Sequence, residues 1–122
     1  MVASFRNVIA QSTAFKDFHL DGSVVKGKVS SHSPYLDGHF PGLPVFPAVG
    51  IVDASLHFIK LVTRRTDLQL AGLPNAKFMS PIAPEQNLRI ELKELDEQKT
   101  WQLDWKDEPS SKTLATLRLS VI

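Results

Sequence analysis

The chain has no cysteine. That excludes a disulfide framework, a thiolate nucleophile and every cysteine-based zinc or iron–sulfur site, and it fits a reducing cytosol. An excess of one charge is missing as well. Fourteen Lys and Arg stand against thirteen Asp and Glu, a formal net charge of +1. Nucleic-acid binding calls for a basic excess or a basic stripe, so no nucleic-acid partner is expected. Long apolar runs are absent too. The longest uncharged stretch, residues 40–52, is thirteen residues broken by three prolines, too short and too interrupted to cross a bilayer. The first fifteen residues lack an apolar core behind a basic start, so no export signal is expected. These absences describe a cytoplasmic protein without a membrane partner.

What is present is ordinary globular composition, 43% hydrophobic and 22% charged over 122 residues. The expectation is one domain, 1–122, burying about two-thirds of the surface of its unfolded chain. Residues 1–22 are weakly patterned, and Phe5, Val8 and Ile9 fit a short strand or a short helix equally well. A β-branched run predicts a strand over 24–31. The stretch SPYLDGHFPGLPVFP (33–47) holds four prolines and two glycines in fifteen residues, which predicts an ordered loop.

Pro47 then opens a proline-free run to Arg65. Val49, Val52, Leu56 and Ile59 recur at helical spacing, with Ile51, Phe58 and Val62 widening the apolar surface, which predicts a buried core helix over 47–64. Period-two alternation in 88–95, 101–105 and 114–121 predicts antiparallel strands with one buried face, joined by turns at 96–99 and 106–111. A further strand is expected around residues 77–79. The sum is an α+β fold in which an antiparallel sheet of about five strands wraps one long central helix.

Two polar residues carry chemical interest. Asp53 sits within the apolar helix, where an ionised carboxylate is costly unless paired. His57, four residues on and on the same helical face, offers a purely structural partner. His39 lies in the proline–glycine loop, where a histidine is either an ordinary surface residue or a base poised near neutrality. No Gly-x-Ser-x-Gly, His-Glu-x-x-His, dinucleotide-binding or phosphate-loop motif occurs, and the four histidines show no metal-ligand spacing. Trp101 and Trp105 fall on one strand face and read as packing.

Taken together, GHFPGLPVFPAVGIVDA (38–54) closely resembles the signature of the FabA/FabZ-type 3-hydroxyacyl-acyl-carrier-protein dehydratases. That signature is a His-Phe-Pro-Gly-x-Pro-Val-x-Pro loop entering a helix, with an acidic residue fourteen positions after the histidine; His39 and Asp53 have that separation. LAGLPNAKFMSPIAPEQNLRIEL (70–92) resembles the family's following strand, turn and strand, so the resemblance spans about residues 24–121. It implies the hot-dog fold, an obligate homodimer, with further assembly left open, and a site shared between subunits. It also implies reversible dehydration of a (3R)-3-hydroxyacyl thioester on an acyl carrier protein or coenzyme A. His39 would be the base and Asp53 the acid, with the backbone N–H groups of Ala48 and Val49 receiving the oxyanion and no metal or organic cofactor. An apolar helix would favour the protonated carboxyl of Asp53. The family usually has glycine where Ala48 stands and glutamine where His57 stands; His57 is expected to modulate Asp53, and the two departures imply either an altered substrate preference, as in dehydratase-like branches such as the aryl-polyene (ApeI-like) enzymes, or lost activity. A hot-dog thioesterase, with Asp53 activating water, and a non-catalytic acyl-binding module are the alternatives.

Overall fold

The computed structural model describes residues 18–29, 46–96 and 99–122. The expectations placed on 1–17, on the strand end at 30–31 and on the loop with His39 lie outside those residues.

Six antiparallel strands form one sheet in the order β1-β2-β4-β5-β6-β3. Among the described residues they are β1 (His19–Asp21), β2 (Val24–Gly27), β3 (Leu70–Phe78), β4 (Leu88–Asp96), β5 (Thr100–Asp107) and β6 (Thr113–Val121), with the helix α1 (Ala48–Thr63) between β2 and β3. β1 and β2 are a hairpin with Asp21 opposite Val24. Its two-residue loop begins at Gly22, whose φ of 65° is the left-handed value such tight turns demand. β2 ends at Gly27, earlier than its β-branched run suggests.

The alternation in β4, β5 and β6 does what period two requires. Leu88, Ile90 and Leu92, then Trp101, Leu103 and Trp105, then Ala115, Leu117, Leu119 and Val121 are all buried on one face. Leu114 breaks the pattern by being buried beside Ala115. It is the extra residue of a bulge, since Trp105 pairs with Ala115 and Lys106 with Thr113. Its carbonyl accepts hydrogen bonds from the N–H groups of Met79 (2.8 Å) and Ser80 (3.1 Å), which ties down the chain leaving β3.

β3 is longer than its sequence suggests. Pro74 lies within it, where the pairing with β6 shifts register between Gly72 and Asn75. A residue without an N–H is tolerated there because β3 is an edge strand. Leu70, Leu73 and Phe78 on it, and Met79 just after it, are exposed.

α1 presents Gly50, Ile51, Ala54, Ser55, Phe58 and Ile59 to the core, and Phe58 and Ser55 meet Trp105 on the sheet. The expectation of a helix buried on nearly every side needs correction. Val49 is 62% exposed and Asp53 is exposed, while Val52 and Leu56 are only partly covered. The apolar spacing is real, but this chain covers one face of the helix and leaves the other outward.

Candidate active site on the outward face of the helix

The helix starts without a side-chain cap. Pro47 is the N-cap, at φ −74° and ψ 158°, and its carbonyl accepts from the N–H groups of Gly50 (3.0 Å) and Ile51 (3.1 Å). No helix carbonyl is in reach of the N–H groups of Ala48 and Val49, because the first turn has no turn before it. No acidic residue occupies that turn, so the positive end of the helix dipole is left uncompensated by the helix itself. Ala48 and Val49 are exposed. The start is anchored from behind: the Phe46 N–H donates to the Ile82 carbonyl at 2.9 Å, and the Phe46 ring stacks on Trp105 at 6.4 Å between centroids.

One turn on, Asp53 lies on the same outward stripe as Val49, about 6 Å further along the axis. His57 follows by another turn and is half-buried. Burial lowers the pKa of its imidazole, Lys60 lowers it further, and the negative charge of Asp53 works against both. His57 is therefore held neutral at neutral pH. A neutral imidazole does not force its neighbour to stay ionised, which is what an acid at residue 53 needs.

The structure thus brings Val49, Asp53 and His57 onto one stripe of one helix, with Ala48 exposed at its start. His39 lies outside the described residues. One pair escaped the sequence reasoning: Ser55, the buried polar residue among those described, accepts a hydrogen bond at 3.0 Å from the indole N–H of the fully buried Trp105. The signal available was a lone hydroxyl on the inward stripe of an apolar helix, but its donor stands fifty residues away. Among the described residues no three His, Asp or Glu side chains gather into a metal site, and no helix is long and apolar enough to cross a membrane.

The family model described as ApeI dehydratase matches residues 17–116. The 3-hydroxyacyl-acyl-carrier-protein dehydratase FabZ of Geotalea uraniireducens is 36% identical over 72 residues, 52% of this chain and 50% of that protein. The chain spans about half the length of the curated relatives it matches first. Among solved structures, the dehydratase heterocomplex ApeI:P from Xenorhabdus doucetiae superposes with a TM-score of 0.71 at 15% identity, over 80% of this chain and 84% of that one. Mouse thioesterase superfamily member 2 superposes at 0.68 and 16% identity, over 98% and 94%. At such identities the likeness establishes the fold alone, the hot-dog fold. The breadth of the family-model match settles kinship: the chain belongs to the ApeI-like dehydratase family.

Proposed function

We propose that the protein catalyses reversible dehydration of a (3R)-3-hydroxyacyl thioester, carried on an acyl carrier protein or coenzyme A, to the trans-2-enoyl thioester, in fatty-acid or polyene-type synthesis in the cytoplasm. The observation that carries this reading is an uncapped helix start with a carboxyl group one turn further along the same open face. His39 removes the proton from the carbon beside the thioester carbonyl, a task suited to imidazole near neutrality. Negative charge grows on the thioester oxygen, and the N–H groups of Ala48 and Val49 receive it. The carbon–oxygen bond to the 3-hydroxyl breaks as Asp53 delivers a proton, and water leaves. Solvent then takes the proton from His39 and returns one to Asp53. Neutral His57 leaves Asp53 free to cycle.

Asp53 is exposed in the single chain, and in this reading a second copy covers it. The apolar edge around β3 and the open face of α1 are the surfaces offered to that copy, in a two-fold homodimer where His39 of one chain works with Asp53 of the other.

The assay follows enoyl absorbance and free thiol together. Enoyl formation without thiol supports dehydration; thiol release means a thioesterase; neither means a binding module. His39→Ala and Asp53→Asn should each lower turnover about a hundredfold or more. Mixing the two variants under subunit exchange should restore about a quarter of wild-type activity, since about half the dimers are mixed and each carries one intact site. Verified mixed dimers that stay dead refute the shared site.

A further inference from the structure

We propose that Trp105 is a positioning residue for this reaction: one buried indole on β5, bonded to Ser55 and stacked on Phe46, sets both the rotation and the start of α1, and so aims Asp53 and the first-turn N–H groups. The inference rests on the dehydratase reading and names the part of the core that holds its geometry.

Hydrophobic packing is non-directional, so an apolar helix lying on an apolar sheet has little to choose between nearby rotations. A hydrogen bond in a dry interior does choose, because leaving its donor unmade carries the full desolvation cost. The Trp105 Nε1–H donates to Ser55 Oγ at 3.0 Å, and both side chains are fully buried. Phenylalanine or leucine would fill the same inward slot on β5; the N–H is what tryptophan adds.

Ser55 follows Asp53 by two residues, about 200° round the helix at 3.6 residues per turn. Pinning Ser55 inward therefore points Asp53 outward. The carboxyl group rides about 5–6 Å from the helix axis, so a rotation of about 20° carries it about 2 Å. Misplacement of about 1 Å is enough to cost about a hundredfold in rate where reacting groups must be aligned.

The same indole reaches the helix start. Phe46 stacks on it at 29° between planes, two residues before Ala48. Phe58 packs against it at 5.8 Å one turn beyond Ser55, and Phe18 closes the cluster at 6.5 Å. One side chain thus touches the entry, middle and following turn of the helix that bears the site.

The experiment compares Trp105→Phe, Ser55→Ala and the double variant with Leu119→Val, a core change on β6 whose strand partner is Trp101 rather than Trp105. Two quantities are read: kcat and KM for dehydration, and the titration of the His57 imidazole by NMR. The two single variants should lose about tenfold or more in kcat with KM within about twofold. The double variant should be no worse than the more damaged single, because both remove one bond. Leu119→Val should keep wild-type kcat. The His57 midpoint should rise toward 6.5 in Trp105→Phe, as the helix turns the imidazole away from the cover that now buries it; Lys60, on the same helix, turns with it. Wild-type kcat in Trp105→Phe, or an equal loss in Leu119→Val, overturns the proposal. If the wild-type chain dehydrates no hydroxyacyl thioester, the functional reading fails by itself and the NMR arm decides the positioning claim: an unmoved His57 titration refutes it, and a moved one upholds it.

Discussion

Replacing Phe78 with lysine tests where a second copy joins. Phe78 ends β3 on the free edge of the sheet and is 45% exposed. That fraction of a phenylalanine is on the order of 100 Å², worth about 2 kcal/mol when covered, at about 25 cal/mol per Å². A two-fold interface counts the residue twice, so the substitution removes about 4 kcal/mol, about a thousandfold in Kd. The two introduced ammonium groups repel across the axis, and added salt should recover part of the loss by screening them. Sedimentation velocity over a concentration series reads the Kd directly, and circular dichroism checks the fold. Phe78 pairs with Ala115 through its backbone, so the exchange leaves the β3–β6 ladder intact. Turnover should fall with the dimer if the two chains share each site as proposed. A folded variant that dimerises as tightly as the wild type would refute β3 as the interface.

Ala48→Gly should leave turnover equal or raised, since the N–H remains and a methyl group beside the thioester goes; the helix should lose up to about 1 kcal/mol, and a large fall in kcat at unchanged fold would show the alanine to be adapted to its substrate. Phe58→Ala empties the centre of the aromatic cluster and should cost about 3–5 kcal/mol, read as a lower urea midpoint at unchanged slope, whereas exposed Val49→Ala should stay within about 0.5 kcal/mol. His57 has a lowered pKa in the folded chain, so the unfolded chain binds its proton first as pH falls. Its contribution to stability is complete above about 6.5 and is lost as pH drops from there through the folded value. His57→Gln should flatten that part of the stability profile, and urea midpoints that fall equally in both proteins between pH 8 and pH 5 would contradict the assignment.

The elements legible in the sequence are those whose local signals and tertiary surroundings agree. α1 runs from a proline to Arg64, which takes the left-handed conformation at its C-cap, and every residue between tolerates a helix. β4, β5 and β6 alternate cleanly because one face alone is buried. β3 was less legible, since Gly72, Pro74 and Asn75 read as loop residues; an edge strand accommodates them through register shifts that no local pattern encodes. β1, three residues long, carries too few side chains to show a period. Asp53 was read as enclosed because its helical neighbours are apolar. Hydrophobicity marks surfaces that need cover, and it does not say whether the cover belongs to the same chain. Ser55 was passed over for another reason: a hydroxyl in a helix has a local alternative in the backbone carbonyl one turn back, and only the fold delivers Trp105 to it.

The position of β3 at the far edge from β2 bears on the order in which the molecule can be made. The three-strand meander β4-β5-β6 closes through short turns, which form fast. β3 has no such neighbour. Phe78 pairs with Ala115 and Leu70 with Val121, 37 and 51 residues further on. At a synthesis rate of about 5–20 residues per second, β3 waits about two to ten seconds for the strand that receives it. The edge offered to a second copy therefore does not exist until β6 is in place. In the proposed dimer a nascent chain cannot engage its partner through that edge early, so association of this kind reports a chain to which β6 has already been added.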